Sequence, residues 1–314
     1  MERHEKINIF FGLYCFAALI LYILDLGGKD LHLLALVIPM ICVTPFILIR
    51  NEKLKNEYLI LLKRIKTFVS KINPLFYFWS LFTLSLLMWL ITYFHMFDRF
   101  GLGAFDSGIY GNIAFNTASG QPFYSSVLEK NHLGEHFSPI VTIFAPLYLI
   151  KADLRWLLTA QAISFSLVPI ILYRISGSYT KKKSEKIIVA LSLSTLWLIY
   201  IPIRSAMIFP FHPSSIAAPF ILLAFAYLIE GKIGRMSITL FSLLFFKENL
   251  TFILIGFSLY LFFHEKDYKK SIFLFIIGCT ALLFIVLFII PTINGDSFEK
   301  LSRFGIFLSI HINE

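Results

Sequence analysis

The chain has 314 residues, of which 58% are hydrophobic and 15% charged. Soluble domains carry roughly 25% charge, so an ordinary soluble domain is excluded, as is a disordered chain, which needs low hydrophobicity. The net charge of +9 comes from short basic runs between long apolar stretches, the pattern of a multi-spanning membrane protein and not of a nucleic-acid binder.

A bilayer-spanning helix needs about 17–25 mostly apolar residues. In chain order the candidates are 7–25, 31–49, 75–97, 154–173, 187–203, 213–229, 233–246, 250–263 and 271–290. The first follows Arg3 and Lys6, as in a signal peptide. No small-x-small cleavage site follows it, however, and a second apolar run starts at Leu31, so the two form a retained hairpin. The runs are continuous and do not alternate, which excludes a closed barrel. Cys15, Cys42 and Cys279 fall inside apolar segments and read as packing residues, not disulfide or metal partners. The expected fold is all-α, a polytopic membrane protein with about nine spans.

Basic residues in short loops orient the spans. Segment 50–74 holds Arg50, Lys53, Lys55, Lys63, Arg64, Lys66 and Lys71 against Glu52 and Glu57. Segment 174–186 holds Arg174, Lys181, Lys182, Lys183 and Lys186 against Glu185. Both should be cytoplasmic, with the N-terminus, and 98–153 between them external. The apolar piece 139–150 then cannot span and should lie at the outer surface. Loops 230–236 and 264–270 fall inside; 204–212, 247–249 and the tail after 290 fall outside. The expected organisation is an N-terminal hairpin and basic loop (1–74), a membrane module (75–290) and a short external tail (291–314).

The external stretches hold the chemistry. Phe105-Asp106-Ser107-Gly108-Ile109-Tyr110 opens a helix to about Ser119, which Asp106 or Ser107 can cap. Gly108 and Gly111 each cost this helix roughly 1 kcal/mol relative to Ala, so propensity does not explain it. Ile109, Ile113 and Ala114 make an apolar face, and Asn112, Asn116 and Thr117 a polar one, which suits the membrane interface. Asp106 is either an N-cap or a general base or cation ligand.

Next, Ser138 and Pro139 start the helix 139–150. Glu135 and His136 lie just before it. The block is not a zinc motif, since a histidine pair on one helix is missing. His136 suits a metal, a phosphate or a cap. The second external turn carries Arg204 and His212, and the third Lys247 and Glu248. Lys and Glu at membrane depth are costly and default to functional candidates, or they pair with each other. All these residues should share one side. Carboxylates with histidine can hold a divalent cation, and Lys and Arg can clamp phosphate oxygens. A lipid-linked phosphate donor, its tail in the bilayer, suits such a site.

The stretches FDSGIYGNIAFNTASGQPF, NHLGEHFSPIVTIFAPLYLI, FHPSSIAAPFILLAF and LFFKENL, in that order, resemble a bacterial family of membrane proteins, domain-of-unknown-function family 2079, grouped with the GT-C glycosyltransferases. The resemblance runs from about residue 75 to the C-terminus, and its FD-x-GIY and HFSP blocks are the most specific. It implies a GT-C-like seven-helix module, two external juxtamembrane helices at 107–119 and 139–150, and inverting sugar transfer from a polyprenyl-phosphate sugar at the outer face of the plasma membrane. The catalytic acid of the first external loop maps onto Asp106. Tyr110, Asn116, His136, Arg204, His212, Lys247 and Glu248 are candidate substrate-binding residues, and Asp106, Glu135 and His136 candidate ligands of Mg or Mn. The sequence departs from the superfamily pattern at His212, where many relatives place Asp. It also ends 24 residues after the last span, where family members continue. The alternatives are a non-catalytic lipid-binding scaffold, a transporter or an inactive shortened paralogue. Transporters place polar sites at the midplane, where this chain has few ionisable residues.

Overall fold

The computed structural model describes residues 52–71 and 73–294. The chain divides into two compact units, Met1–Ile72 and Asn73–Glu314. The candidate spans 7–25 and 31–49 lie outside the described residues. In the first unit, α1 (Glu52–Lys71) is a basic helix that exposes Leu59, Ile60, Leu61, Ile65 and Phe68.

The second unit is almost wholly helical. Helix α2 (Pro74–Asp98) starts at Asn73, whose side chain accepts the Leu75 amide at 3.0 Å, with Pro74 in the first turn. Its outer face exposes Phe76, Trp79, Leu84, Leu87 and Ile91. Such a continuous apolar face suits lipid. Helix α3 (Ala104–Ala118) follows, then a two-stranded antiparallel ribbon of β1 (Tyr124–Ser125) and β2 (Lys130–Asn131), with Tyr124 opposite Asn131. Pro139–Phe144 forms 3-10 turns that run into α4 (Ala145–Ile150).

Helix α5 (Arg155–Tyr179) is the central post, packed by α2, α6 (Lys183–Ile199) and α9 (Ala218–Ile229). It buries Leu157, Leu158, Ala162, Phe165 and Val168. Between α6 and α9 lie α7 (Ile201–Ile208) and the single turn α8 (Pro213–Ile216). Helix α10 (Ile233–Ser242) extends as a 3-10 turn to Phe245, and α11 (Thr251–Tyr260) packs against α12 (Tyr268–Ile293). Gly278 permits that approach. A Cβ there would lie 3.2 Å from Ile255 Cγ1 and 3.3 Å from Leu254 Cβ, the close small-residue packing of membrane helices.

By length and composition, three described helices can cross a membrane: α2, α5 and α12. A fourth crossing arises if α6 and α7 count as one bent span. The expected span 187–203 is thus not straight. Pro202 lacks the N–H that a continuous helix needs, Tyr200 turns extended, and α7 leaves at 54°. The expected span 213–229 is interrupted at Ala217, and 233–246 and 250–263 are short helices parted by an extended Lys247 (φ −167°, ψ 149°). Helix 107–119 begins earlier than expected. Gly103 occupies its N-cap, so Asp106 sits inside the first turn and does not cap it. Ser138 does precede Pro139, but its hydroxyl makes no capping bond.

The two ends of the bundle differ. At one, Arg174 grips Glu230 with two bonds of 2.5 and 2.7 Å and stacks on Tyr227, while Ser176 Oγ donates to the Lys186 carbonyl at 3.1 Å. At the other, the α2–α5 connection, the turn 209–212 and the break at Lys247 converge.

Candidate functional site

That convergence is organised from within α5. Gln161 is fully buried; its Nε2 donates to Tyr93 Oη at 3.0 Å and to the Phe209 carbonyl at 3.3 Å. Its Oε1 accepts the His212 amide at 3.2 Å. An amide buried in an apolar span must satisfy its polar atoms locally, and here it does so by fixing the turn that presents His212.

His212 Nδ1 lies 2.8 Å from Ser214 Oγ, while Nε2 lies 3.4 Å from Lys247 Nζ and 3.5 Å from Tyr110 Oη. The ammonium can only donate. This assigns the acceptor role to Nε2 and the ring proton to Nδ1, facing Ser214. Burial, then the Lys247 charge and His136, push the His212 pKa down to about 4, against an opposing pull from Glu248, so the ring is neutral near pH 7. Burial likewise lowers the Lys247 pKa, while the Glu248 and Asp106 carboxylates pull it up.

Glu248 is buried beside this lysine. Its Oε1 accepts from His136 Nδ1 at 2.8 Å and its Oε2 from the Phe137 amide at 3.0 Å. Burial disfavours the carboxylate, but the His136 bond and charge, helped by Lys247, outweigh it and hold the pKa below the ordinary carboxylate value. A carboxylate on one imidazole nitrogen fixes ring orientation and leaves the other nitrogen for a ligand. In His136 that nitrogen is Nε2.

These groups border a cavity of about 300 Å³ whose wall includes Asp106, Tyr110, Lys130, Glu135, His136 and His212. Tyr110 is its pivot, with its ring edge-on to His132 (5.3 Å), Phe211 (5.6 Å) and His212 (5.4 Å). Burial, then the Asp106 and Glu248 charges, raise its pKa, so it remains a phenol donor.

The structure thus brings Asp106, Tyr110, Glu135, His136 and His212 to one cavity, with Lys247 and Glu248 behind it. Two other candidates lie elsewhere. Asn116 Nδ2 donates to Asn112 Oδ1, the Tyr124 carbonyl and Ser126 Oγ at 3.0, 3.0 and 3.1 Å, and so ties α3 to the ribbon. Arg204 is exposed on α7 and does not line the cavity. Glu135 is paired with Lys130 at 2.7 Å. Among the described residues no three His, Cys, Asp or Glu side chains are arranged to hold a metal ion. His132 and His136 are four residues apart, but His132–Gly134 is a single 3-10 turn and the rings meet edge-on at 5.9 Å.

Sequence reasoning missed Gln161, Ser214 and Lys130. A lone amide within an apolar run was the available signal for Gln161. Nothing local marks the other two.

No curated protein and no solved structure matches the chain. Residues 96–311 match the family described as predicted membrane protein, DUF2079. The match takes in α3, the cavity-lining residues, the turn at His212 and the Lys247 break. The chain therefore belongs to the DUF2079 family of predicted membrane proteins.

Proposed function

We propose that this cavity receives the phosphate-linked headgroup of a membrane lipid, and that the protein is a GT-C-type glycosyltransferase using a polyprenyl-phosphate sugar. One observation carries the reading: behind a cavity lined by Asp106, His136 and His212, the Lys247 ammonium stands 3.4 Å from the neutral His212 ring, within electrostatic reach of Asp106. Lys247 offers phosphate oxygens a charge and three N–H donors. Glu248 orients His136 so that Nε2 adds a further contact. The FDSGIY and HFSP blocks resemble a family grouped with the GT-C glycosyltransferases, which supports the same reading.

In the transfer, an acceptor hydroxyl attacks the anomeric carbon while Asp106 takes its proton. The bond from that carbon to the phosphate oxygen breaks. Its electron pair leaves with polyprenyl phosphate, whose charge Lys247 and His136 stabilise. Attack opposite the leaving group inverts the anomeric centre. The loops at the far end carry Arg174, Lys181, Lys182, Lys183, Lys232, Lys266, Lys269 and Lys270. By the positive-inside tendency that end is cytoplasmic and the cavity opens outside.

Donor binding tests the reading. Protein in lipid nanodiscs is titrated with polyprenyl-phosphate hexoses and with the matching polyprenols. The phosphate-linked forms are expected to bind, and Lys247→Met to weaken them by roughly tenfold or more. Equal binding of the polyprenols, or of both forms by the Met variant, contradicts it.

A further inference from the structure

A second, larger cleft of about 690 Å³ lies on the opposite side of α3 from the Asp106 cavity. Phe97 and Phe100 at the end of α2, Phe115 of α3 and Tyr148 of α4 give it aromatic walls. Its floor is Gly108 and Gly111, the two residues whose cost to the helix propensity does not explain. A Cβ at Gly108 would meet nothing within 4 Å, so that glycine opens onto empty space.

Its polar groups define the ligand. Ser107 and Tyr148 are 5% and 7% exposed, and neither hydroxyl has a hydrogen-bond partner among the described residues. A buried hydroxyl left unsatisfied costs about 1–3 kcal/mol, so an occupant that pairs with both is favoured. Asn112, whose Oδ1 already accepts from Asn116 Nδ2 and the Ser126 amide, adds its Nδ2 donor, and Asp98 adds a carboxylate. Asp98 is already neutralised by Arg155 at 2.5 Å. Among the described residues no lysine or arginine lines the cleft, in contrast with the first cavity, so nothing described there calls for a phosphate. A bare hydrocarbon chain would leave both hydroxyls unpaired.

We infer that this cleft is a second binding site, for a neutral polyhydroxylated ring such as a sugar, whose C–H faces lie on the phenylalanines and whose hydroxyls reach Ser107, Asn112, Asp98 and Tyr148. The binding claim stands on this lining alone and does not rest on the transfer reaction.

Saturation-transfer NMR on the protein in lipid nanodiscs tests it, with methyl glucoside, methyl galactoside and methyl mannoside as probes at millimolar concentration. At least one is expected to receive saturation at its ring C–H protons. Gly108→Leu, whose Cβ enters open space and whose branched end projects into the cleft, is expected to abolish the signal. Ser107→Ala, which removes one hydrogen bond, is expected to weaken binding roughly tenfold. Both variants should keep the wild-type melting temperature, and Lys247→Met should keep the glycoside signal while losing the lipid phosphate. The proposal is overturned if no glycoside gives a signal, if Gly108→Leu leaves it unchanged, or if the long-chain probe farnesol binds in the cleft and the glycosides do not.

Discussion

The buried Glu248 carboxylate holds His136 by its Nδ1 at 2.8 Å, joining the break between two short helices to a loop residue more than a hundred positions earlier. The same carboxylate takes the Phe137 amide at 3.0 Å, so it fixes both the ring and the backbone that carries it. Glu248→Gln keeps one acceptor and loses the charge. We expect this change to destabilise the protein by about 1–3 kcal/mol and to weaken lipid-phosphate binding. Because the folded pKa of Glu248 is depressed, its stabilisation is present above the unfolded carboxylate value near ~4.3. It is lost as pH falls through the lower folded value. Chemical unfolding in detergent at pH 7, with donor titration, checks both effects. Unchanged values for both would remove Glu248 from the account.

His212 sets the pH response in the next range up. Its folded pKa is about 4, against roughly 6.5 unfolded. Between these values the unfolded chain binds a proton that the folded one refuses. Stability is therefore full above about pH 6.5 and falls toward pH 4, by a total on the order of 3 kcal/mol. His212→Asn should flatten this part of the profile. Lys247→Met, which removes a charge that depresses the ring, should narrow the window. Melting temperatures across pH 4–7.5 report all three, and a flat wild-type profile contradicts the assignment of a neutral buried ring.

Gln161 carries a different burden. Gln161→Leu keeps the apolar contacts of α5 but strips partners from Tyr93, the Phe209 carbonyl and the His212 amide. The expected loss is about 1–3 kcal/mol for each buried group left unsatisfied, with a parallel loss of donor binding as the His212 turn loosens. Gln161→Glu is expected to be worse, since it places a charge among apolar neighbours. Unfolding free energies together with donor affinity decide this. A Leu variant as stable and as tight-binding as wild type would show that the turn holds itself.

Apolar run length and loop charge were enough to find α2, α5 and α12, because a bilayer demands a minimum length of unbroken apolar helix. The same reasoning blurred where prolines and polar breaks intervene. Pro202 sits at the end of the apolar run 187–203, which reads as one span, and only chain geometry reveals the bend. The Lys247 break was legible because two ionisable residues interrupt an apolar stretch at a cost that needs a reason. Convergence on the cavity was legible only as a shared side. Which residues touch is a tertiary matter: Asn116 and Arg204 look as polar as His136, yet one ties down a ribbon and the other faces outward. The helix start at Gly103 was hidden because glycine caps through its backbone and leaves no side-chain signature.

Turnover by Asp106→Asn tests the central claim most directly. Wild-type and variant protein in nanodiscs are given a polyprenyl-phosphate hexose that the wild type processes, and release of polyprenyl phosphate is followed over time. We expect the variant to bind the donor with near wild-type affinity and to turn it over at least about 100-fold more slowly, the lower range for loss of a general base. Equal release by both proteins would contradict the assignment of Asp106 as the proton acceptor at this cavity.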